Sequence, residues 1–315
     1  MLEFLQRTLD GWLEGSAYAL VGLGLTLTFG TLRRLNLAYG ATAMLAAYVG
    51  AWLFARHAFP AWGVALVVVG LAALIGLYVE RLCFGAIGSA PANHEGRGSA
   101  QRVGGGFDGA EVVALASSFA LWMQLEQLAV NLLPRHLNPF PNLAAQTEWS
   151  VAGLYLRPDR LAIAALAVVI TLALGQWLLR TRGGLAWRAA ATQRTAAGLV
   201  GIRVGQVQAT AFLVACALSG VAAFAVLSLE GQVTPMLGMW MLTKGLVAAM
   251  LGGLGSVRGV LIGGWLLGIV EAHAQAAFGA VGREFATYAL LFLVLVVGPA
   301  GRASLTGGGG WRHAA

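Results

Sequence analysis

Nine runs of apolar residues fill most of this 315-residue chain, at 12–30, 36–55, 61–84, 111–133, 159–179, 205–228, 235–254, 259–279 and 284–300. Each has roughly the 17–25 residues a helix needs to cross a hydrocarbon core. In lipid every backbone N–H and C=O has to be satisfied within the protein, which leaves only helices and closed barrels. No run alternates with period two over the roughly ten residues of a barrel strand. The fold class expected is therefore all-α: a polytopic integral membrane protein of about eight or nine transmembrane helices. The second and seventh runs carry glycine and polar residues, and either is open to being broken or re-entrant.

Composition agrees. The chain is 58% hydrophobic and 10% charged, where soluble domains carry about 25% charged residues. Its 44 glycines suit membrane helices whose backbones approach closely. A net charge of +7 would suggest nucleic acid in a soluble chain. Here nearly all the cations are arginines flanking apolar runs, so orientation in the lipid bilayer explains them and no nucleic-acid partner is expected. With 180–204 placed in the cytoplasm, 13 of the 20 cations fall on that side, which puts the N-terminus outside and the C-terminus inside. Glu3 and Asp10 around Arg7 do not form a cleavable leader, so the first span is expected to be retained. Cys83 and Cys216 lie in apolar runs and read as packing residues.

Three stretches between or within the runs stand out. Segment 180–204 holds five arginines (Arg180, Arg182, Arg188, Arg194, Arg203). Its middle, 186–197, is a good helix former, with Gly183-Gly184 before it and Gly198 after. Two readings fit: a helix that docks on a soluble partner, or a basic loop that sets topology and touches anionic lipid. Segment 85–110 is rich in Gly, Ser, Asn and Arg and reads as a flexible insert. Segment 133–157, with Pro134, Pro139 and Pro141, reads as an ordered but irregular outer loop, and the tail at 307–313 as disordered.

Catalytic motifs are sparse. The single lysine, Lys244, is not followed by Ser or Thr, so there is no phosphate-binding P-loop. No His-Glu-x-x-His, paired-cysteine motif or Gly-x-Ser-x-Gly occurs, and no catalytic residue, metal or cofactor is expected. Charges within or beside the runs are Glu14, Glu80, Arg81, Glu126, Lys244 and Glu271, next to His273. Such groups usually face a cavity or a partner. Glu80 and Arg81 sit where snorkelling accounts for them. Glu126 and Lys244 lie deeper, either on a water-filled path or in an internal ion pair. Glu271 and His273 read as interfacial. Gly255, Gly259 and Gly263 recur every four residues, with Gly264 and Gly268 as a second pair, an arrangement suited to close helix packing. Gly201 and Gly205 repeat the spacing before the sixth run.

Several pieces, in order, resemble one family. Gly15-Ser-Ala-Tyr-Ala-Leu-Val-Gly is similar to the first span of the shorter permease in branched-chain amino acid ABC importers. Asn36-Leu-Ala-Tyr-Gly40 resembles that family's Asn-x-Ala-His-Gly turn, with Tyr39 replacing the histidine. Arg188-Ala-Ala through Ala196-Ala-Gly-Leu-Val-Gly-Ile202 resembles its cytoplasmic coupling loop, Lys244 to Gly264 its lysine-containing glycine-rich segment, and Gly298-Pro-Ala-Gly301 its closing motif. The insert is longer than the family's, and the chain after Gly301 lacks its Leu-Phe-Gly.

The resemblance implies one permease domain over 1–315, moving amino acids or a related solute such as urea or an amide. Its partners would be a second permease subunit, cytoplasmic ATPase subunits that hydrolyse the ATP, and a periplasmic solute-binding protein, in a bacterial inner membrane. It also implies ATPase coupling through Arg188, Ala196, Gly198, Leu199, Gly201 and Ile202. A translocation path would involve Asn36, Tyr39, Glu126 and Lys244. The alternatives are a self-sufficient channel or secondary carrier, and a non-transporting scaffold.

Overall fold

The computed structural model describes residues 2–32, 36–85, 109–132, 139–142, 149–151 and 154–297. The expected insert lies almost wholly outside the described residues, as do the tail, the closing motif and much of the outer loop.

Helix α1 (Leu2–Leu32) starts ten residues ahead of its apolar run. Arg7 pairs with Glu3, and Gln6 with Asp10, one turn apart on its first two turns. In the following turn the Ala38 N–H donates to Asn36 Oδ1 at 3.0 Å, which starts α2 (Tyr39–His57). Ala58, left-handed at φ 47°, and then Pro60 end it. Helix α3 (Ala61–Val79) runs directly into a π turn, Glu80–Gly85. Helix α4 is Gly109–Leu132. A short antiparallel hairpin follows, β1 (Trp149–Val151) with β2 (Leu154–Leu156), so part of the outer loop is regular. Helix α5 (Pro158–Arg180) has its proline in the first turn, where the missing N–H costs nothing. Two short helices, α6 (Arg182–Thr192) and α7 (Arg194–Leu199), lead to α8 (Val204–Glu230), which Gly231 closes at φ 72°.

Helix α9 (Leu237–Gly252) has only 16 residues, roughly 24 Å at 1.5 Å per residue and short of a typical hydrocarbon core. The seventh run is thus a short helix with non-helical shoulders. Helix α10 spans Val257–Val297 but breaks at Gly279 (φ 74°, ψ −165°). Glu271 accepts from Arg283 and Thr287, 12 and 16 residues along, a separation of about 18–24 Å on a straight helix. The chain therefore reverses at Gly279, and α10 is a helical hairpin of limbs 257–278 and 280–297. Counting its limbs separately, the described residues hold nine long helices, as the apolar runs imply.

Helices α1 and α8 form the centre, with α9 and α10 against one side, α2 and α3 against the other, α4 on α2 and α5 on α1. Large apolar side chains of α3, α4, α5 and α10 face outward, as a multi-pass membrane protein requires. Contacts sort the ends. Gln6 pairs with the Tyr155 backbone, Thr8 with His273, and Phe140 N–H with Gly231 O, so these share one end. Gly30, Trp187, Arg194 and Gln208 meet at the other. The N-terminus and 180–204 thus lie at opposite ends, and by the charge bias the 180–204 end would be the inner one.

Glycines set the closest crossings. A Cβ on Gly259 or Gly263 would collide with the backbone of Gly252 or Ala248 on α9. One on Gly264 or Gly268 would meet the backbone of Gly15 or Gly11 on α1. The limb 257–278 thus uses one glycine pair for each neighbour. Gly255 does not join the stripe: it lies in the turn before α10 at φ 98°, with open space where a Cβ would be. Gly201 (φ 85°) and Gly205 likewise face open space and pack nothing: Gly201 lies in the turn before α8, and Gly205 on the exposed face of its first turn. Gly40 and Gly238, each second in its helix, bring the starts of α2 and α9 into backbone contact.

Candidate functional site

Two places concentrate chemistry, one at each end. At the inner end, 180–204 is an elbow of two helices, not the one helix expected over 186–197. Thr181 caps α6, accepting from the Gly184 N–H at 3.0 Å, so Gly183 and Gly184 lie inside the helix and not ahead of it. Gln193 (φ −146°, ψ 103°) breaks the run, and Gly198 falls within α7. The elbow is anchored on three spans. Trp187 packs on Gly30 of α1, Gly184 on Trp177 and Leu178 of α5, and Arg194 donates to Gln208 of α8 at 2.6 Å.

With its buried face spent on those anchors, the elbow turns Arg188, Ala196, Gly198, Leu199 and Gly201 outward, with Ile202 half-buried. Leu199 is 85% exposed and Val200 77%. Two adjoining apolar side chains left in water beside arginines mark a surface suited to a partner protein. Val200 and the exposed Leu185 were not expected there. Val200 is exposed because α7 ends at Leu199, and Leu185 because α6 starts at Arg182 and buries Gly184 and Trp187 instead; periodicity over such short helices cannot reveal either.

At the outer half lies a buried charge cluster. Lys244 (1% exposed) donates to Glu271 Oε1 at 2.6 Å, Thr287 Oγ1 at 2.7 Å and Glu284 Oε1 at 3.4 Å. An ammonium has three N–H donors, so all are used. Glu271 Oε1 also accepts from Thr287, while Oε2 accepts from Tyr18 Oη at 2.8 Å and Arg283 Nε at 3.2 Å. Arg283 reaches on to Glu14. The cluster ties α1, α9 and both limbs of α10 together.

Of the readings open for Lys244, the structure gives the internal ion pair. Glu271 is buried and central, not interfacial, because the reversal at Gly279 folds Arg283 and Thr287 back onto it. His273, against Thr8 and Phe4, does sit at the rim. Glu80 is buried in the π turn instead of snorkelling, while Arg81 is exposed.

The four path candidates are not brought together. Tyr39 is fully buried and donates to the carbonyls of Val21 and Ala215 (3.0 and 3.5 Å). Asn36 is buried in the turn before α2, its Nδ2 without a partner among the described residues. Glu126 is half-buried on α4, within electrostatic reach of Tyr48. Cys83 and Cys216 are buried free thiols in the packing.

Comparison with known proteins fits this layout. The profile of the family described as "Branched-chain amino acid transport system / permease component" matches residues 7–298. The high-affinity branched-chain amino acid transport system permease protein BraD of Pseudomonas aeruginosa is 27% identical, over 95% of each chain. The corresponding permease protein LivH is 28% identical in Escherichia coli and 29% in Salmonella typhimurium, again over 95% of each chain.

Proposed function

The chain belongs to the branched-chain amino acid transport system permease family, and from that premise we propose that it is one of two permeases in an ATP-driven amino-acid importer of a bacterial inner membrane. Residues 1–315 act as one transmembrane domain, and separate cytoplasmic ATPase subunits hydrolyse the ATP. A periplasmic binding protein delivers the solute at the end that carries the β hairpin and the Gly279 reversal.

The observation that carries this reading is the elbow's exposed Leu199–Val200 pair on a scaffold anchored to α1, α5 and α8. Closure of docked ATPases pushes on α6 and α7. Trp187 passes the push to α1, the Thr181 cap to α5, and the Arg194–Gln208 bond to α8. At the outer half α1, α9 and α10 respond as one body, because the charge cluster ties them. Asn36, whose amide lies in the turn between α1 and α2, is the path candidate placed best to feel that motion, and Glu126 faces the second permease or the path.

Arg188→Glu, and Leu199→Asp combined with Val200→Asp, test the docking. Disrupting charge pairs at a buried interface typically costs about 2–5 kcal/mol, so the ATPase subunits should no longer co-purify while membrane insertion is unchanged. Undiminished ATPase recovery and leucine uptake would refute the docking assignment.

A further inference from the structure

Beside the buried cluster, at the outer end, a cavity opens between α1, the start of α5, the end of α8 and the start of α9. It holds about 150 Å³. One water occupies roughly 10–15 Å³ of such space, so a small solute fits. Its charged lining divides by element. Arg157, the N-cap of α5, and Arg160 in its first turn supply the positive charges, and Glu14 of α1 and Glu230 of α8 the negative ones. The two arginines also sit at the N-terminal end of the α5 dipole, which favours a carboxylate.

None of these groups is fully committed. Arg157 gives Nη2 to Asp159 at 2.7 Å, and Arg160 only approaches Asp10, at 3.8 Å. Glu14 engages Arg283 through one oxygen, Oε1. Glu230 has no ion-pair partner among the described residues. Two positive and two negative side chains that form no ion pair with one another match a solute of no net charge whose own charges are separated; a plain anion or cation would leave one set unmatched.

Apart from Tyr18, whose hydroxyl is taken up by Glu271 and Arg283, and Trp240, the rest of the lining is aliphatic. Ile163 and Leu229 also line a second, apolar groove of about 350 Å³ between α5 and α8, so the two spaces adjoin. Trp240 closes the first cavity on the α9 side.

We propose that this cavity is a subsite for a zwitterionic amino acid with an aliphatic side chain. Its carboxylate accepts from Arg157 and Arg160, its ammonium donates to Glu14 and Glu230, and its side chain enters the α5–α8 groove. The proposal rests on the importer reading above and adds what that reading lacks: a place in this subunit that recognises the solute once the binding protein has released it.

The test uses the complete importer, both permeases with their ATPases, in lipid nanodiscs without binding protein. Binding of radiolabelled L-leucine is competed by isocaproate, which lacks the ammonium, and by isopentylamine, which lacks the carboxylate. Hydrogen bonds to charged groups are each worth about tenfold or more in affinity, so each analogue should compete at least about tenfold less well than unlabelled leucine. Glu230→Gln should weaken leucine and erase its advantage over isocaproate; Arg160→Gln should erase its advantage over isopentylamine.

Analogues that compete as well as leucine would overturn the proposal without any variant. So would an absence of leucine binding at millimolar concentration in an importer that takes up leucine when binding protein is added. An assembled importer that takes up no amino acid even then would instead defeat the importer reading.

Discussion

The two ends of this molecule treat polarity in opposite ways. The outer half encloses Lys244, Glu271 and Thr287 and satisfies every donor of the ammonium from within the chain. The inner elbow leaves Leu199 and Val200 in water and offers them nothing. A region that closes its own accounts needs no partner to be stable; one that exposes apolar surface beside arginines is built to be covered. The first holds the subunit together, and the second connects it to something else.

Removing one member of the closed end should therefore hurt most. Lys244→Met leaves the buried Glu271 with Arg283 as its one cationic partner, and breaking a buried pair in this way typically costs about 3–5 kcal/mol. Thermal unfolding of the purified subunit should show it, and Lys244→Met with Glu271→Leu should recover much of the loss. If the single variant is as stable as the parent, the cluster is not what ties α1, α9 and α10.

A smaller loss is expected at the glycine crossings. Gly259→Leu drives a side chain into the Gly252 carbonyl, and overpacking of this kind costs about 1–3 kcal/mol. Ile262→Leu, outward-facing on the same limb, is the silent control in folded yield from detergent. Equal yields would remove the close α9–α10 contact from the account.

At the open end the contrast reverses. Leu199→Ser with Val200→Ser should shift the isolated subunit's stability by less than about 0.5 kcal/mol, yet reduce ATPase recovery from the assembled importer. A stability loss comparable to that of Gly259→Leu would mean that the elbow is internal structure and not a docking surface. The least effect on stability is expected from single cysteines that report sidedness. With Cys83 and Cys216 buried, Leu199→Cys should react with an impermeant thiol reagent only from the cytoplasm, and Val281→Cys only from outside. Labelling of Leu199→Cys in intact cells would invert the assignment of the two ends.

The fold was legible to the extent that lipid forces helices. Nine apolar runs became nine long helices, and Gly259, Gly263, Gly264 and Gly268 packed as their spacing implies. What could not be read was backbone reversal. Gly255 shares the four-residue spacing but sits at positive φ, and spacing says nothing about φ. Gly279 looks like one apolar residue among many, yet it folds Arg283 and Thr287 onto Glu271. The partnership of Lys244 was hidden for the same reason, since its acceptors lie 27, 40 and 43 residues away, the last two beyond that turn. One clue was present: the chain's single lysine lies in an apolar run, followed by two acidic residues at 271 and 284 in the next two runs. The elbow was legible in composition, five arginines between apolar runs, but not in its break at Gln193.

The distance along the chain between Lys244 and its carboxylates also sets an order of events during synthesis. The lysine leaves the ribosome 27 residues before Glu271 and 40 before Glu284. At about 5–20 residues per second, α9 waits on the order of seconds with an unpaired ammonium. A lone lysine at the middle of a span opposes insertion by about 2.5–3.5 kcal/mol, and a 16-residue helix has little apolar length to offset it. Helix α9 is therefore expected to stay at the insertion machinery until the α10 hairpin arrives, so that α9 and both limbs of α10 enter the lipid as one unit.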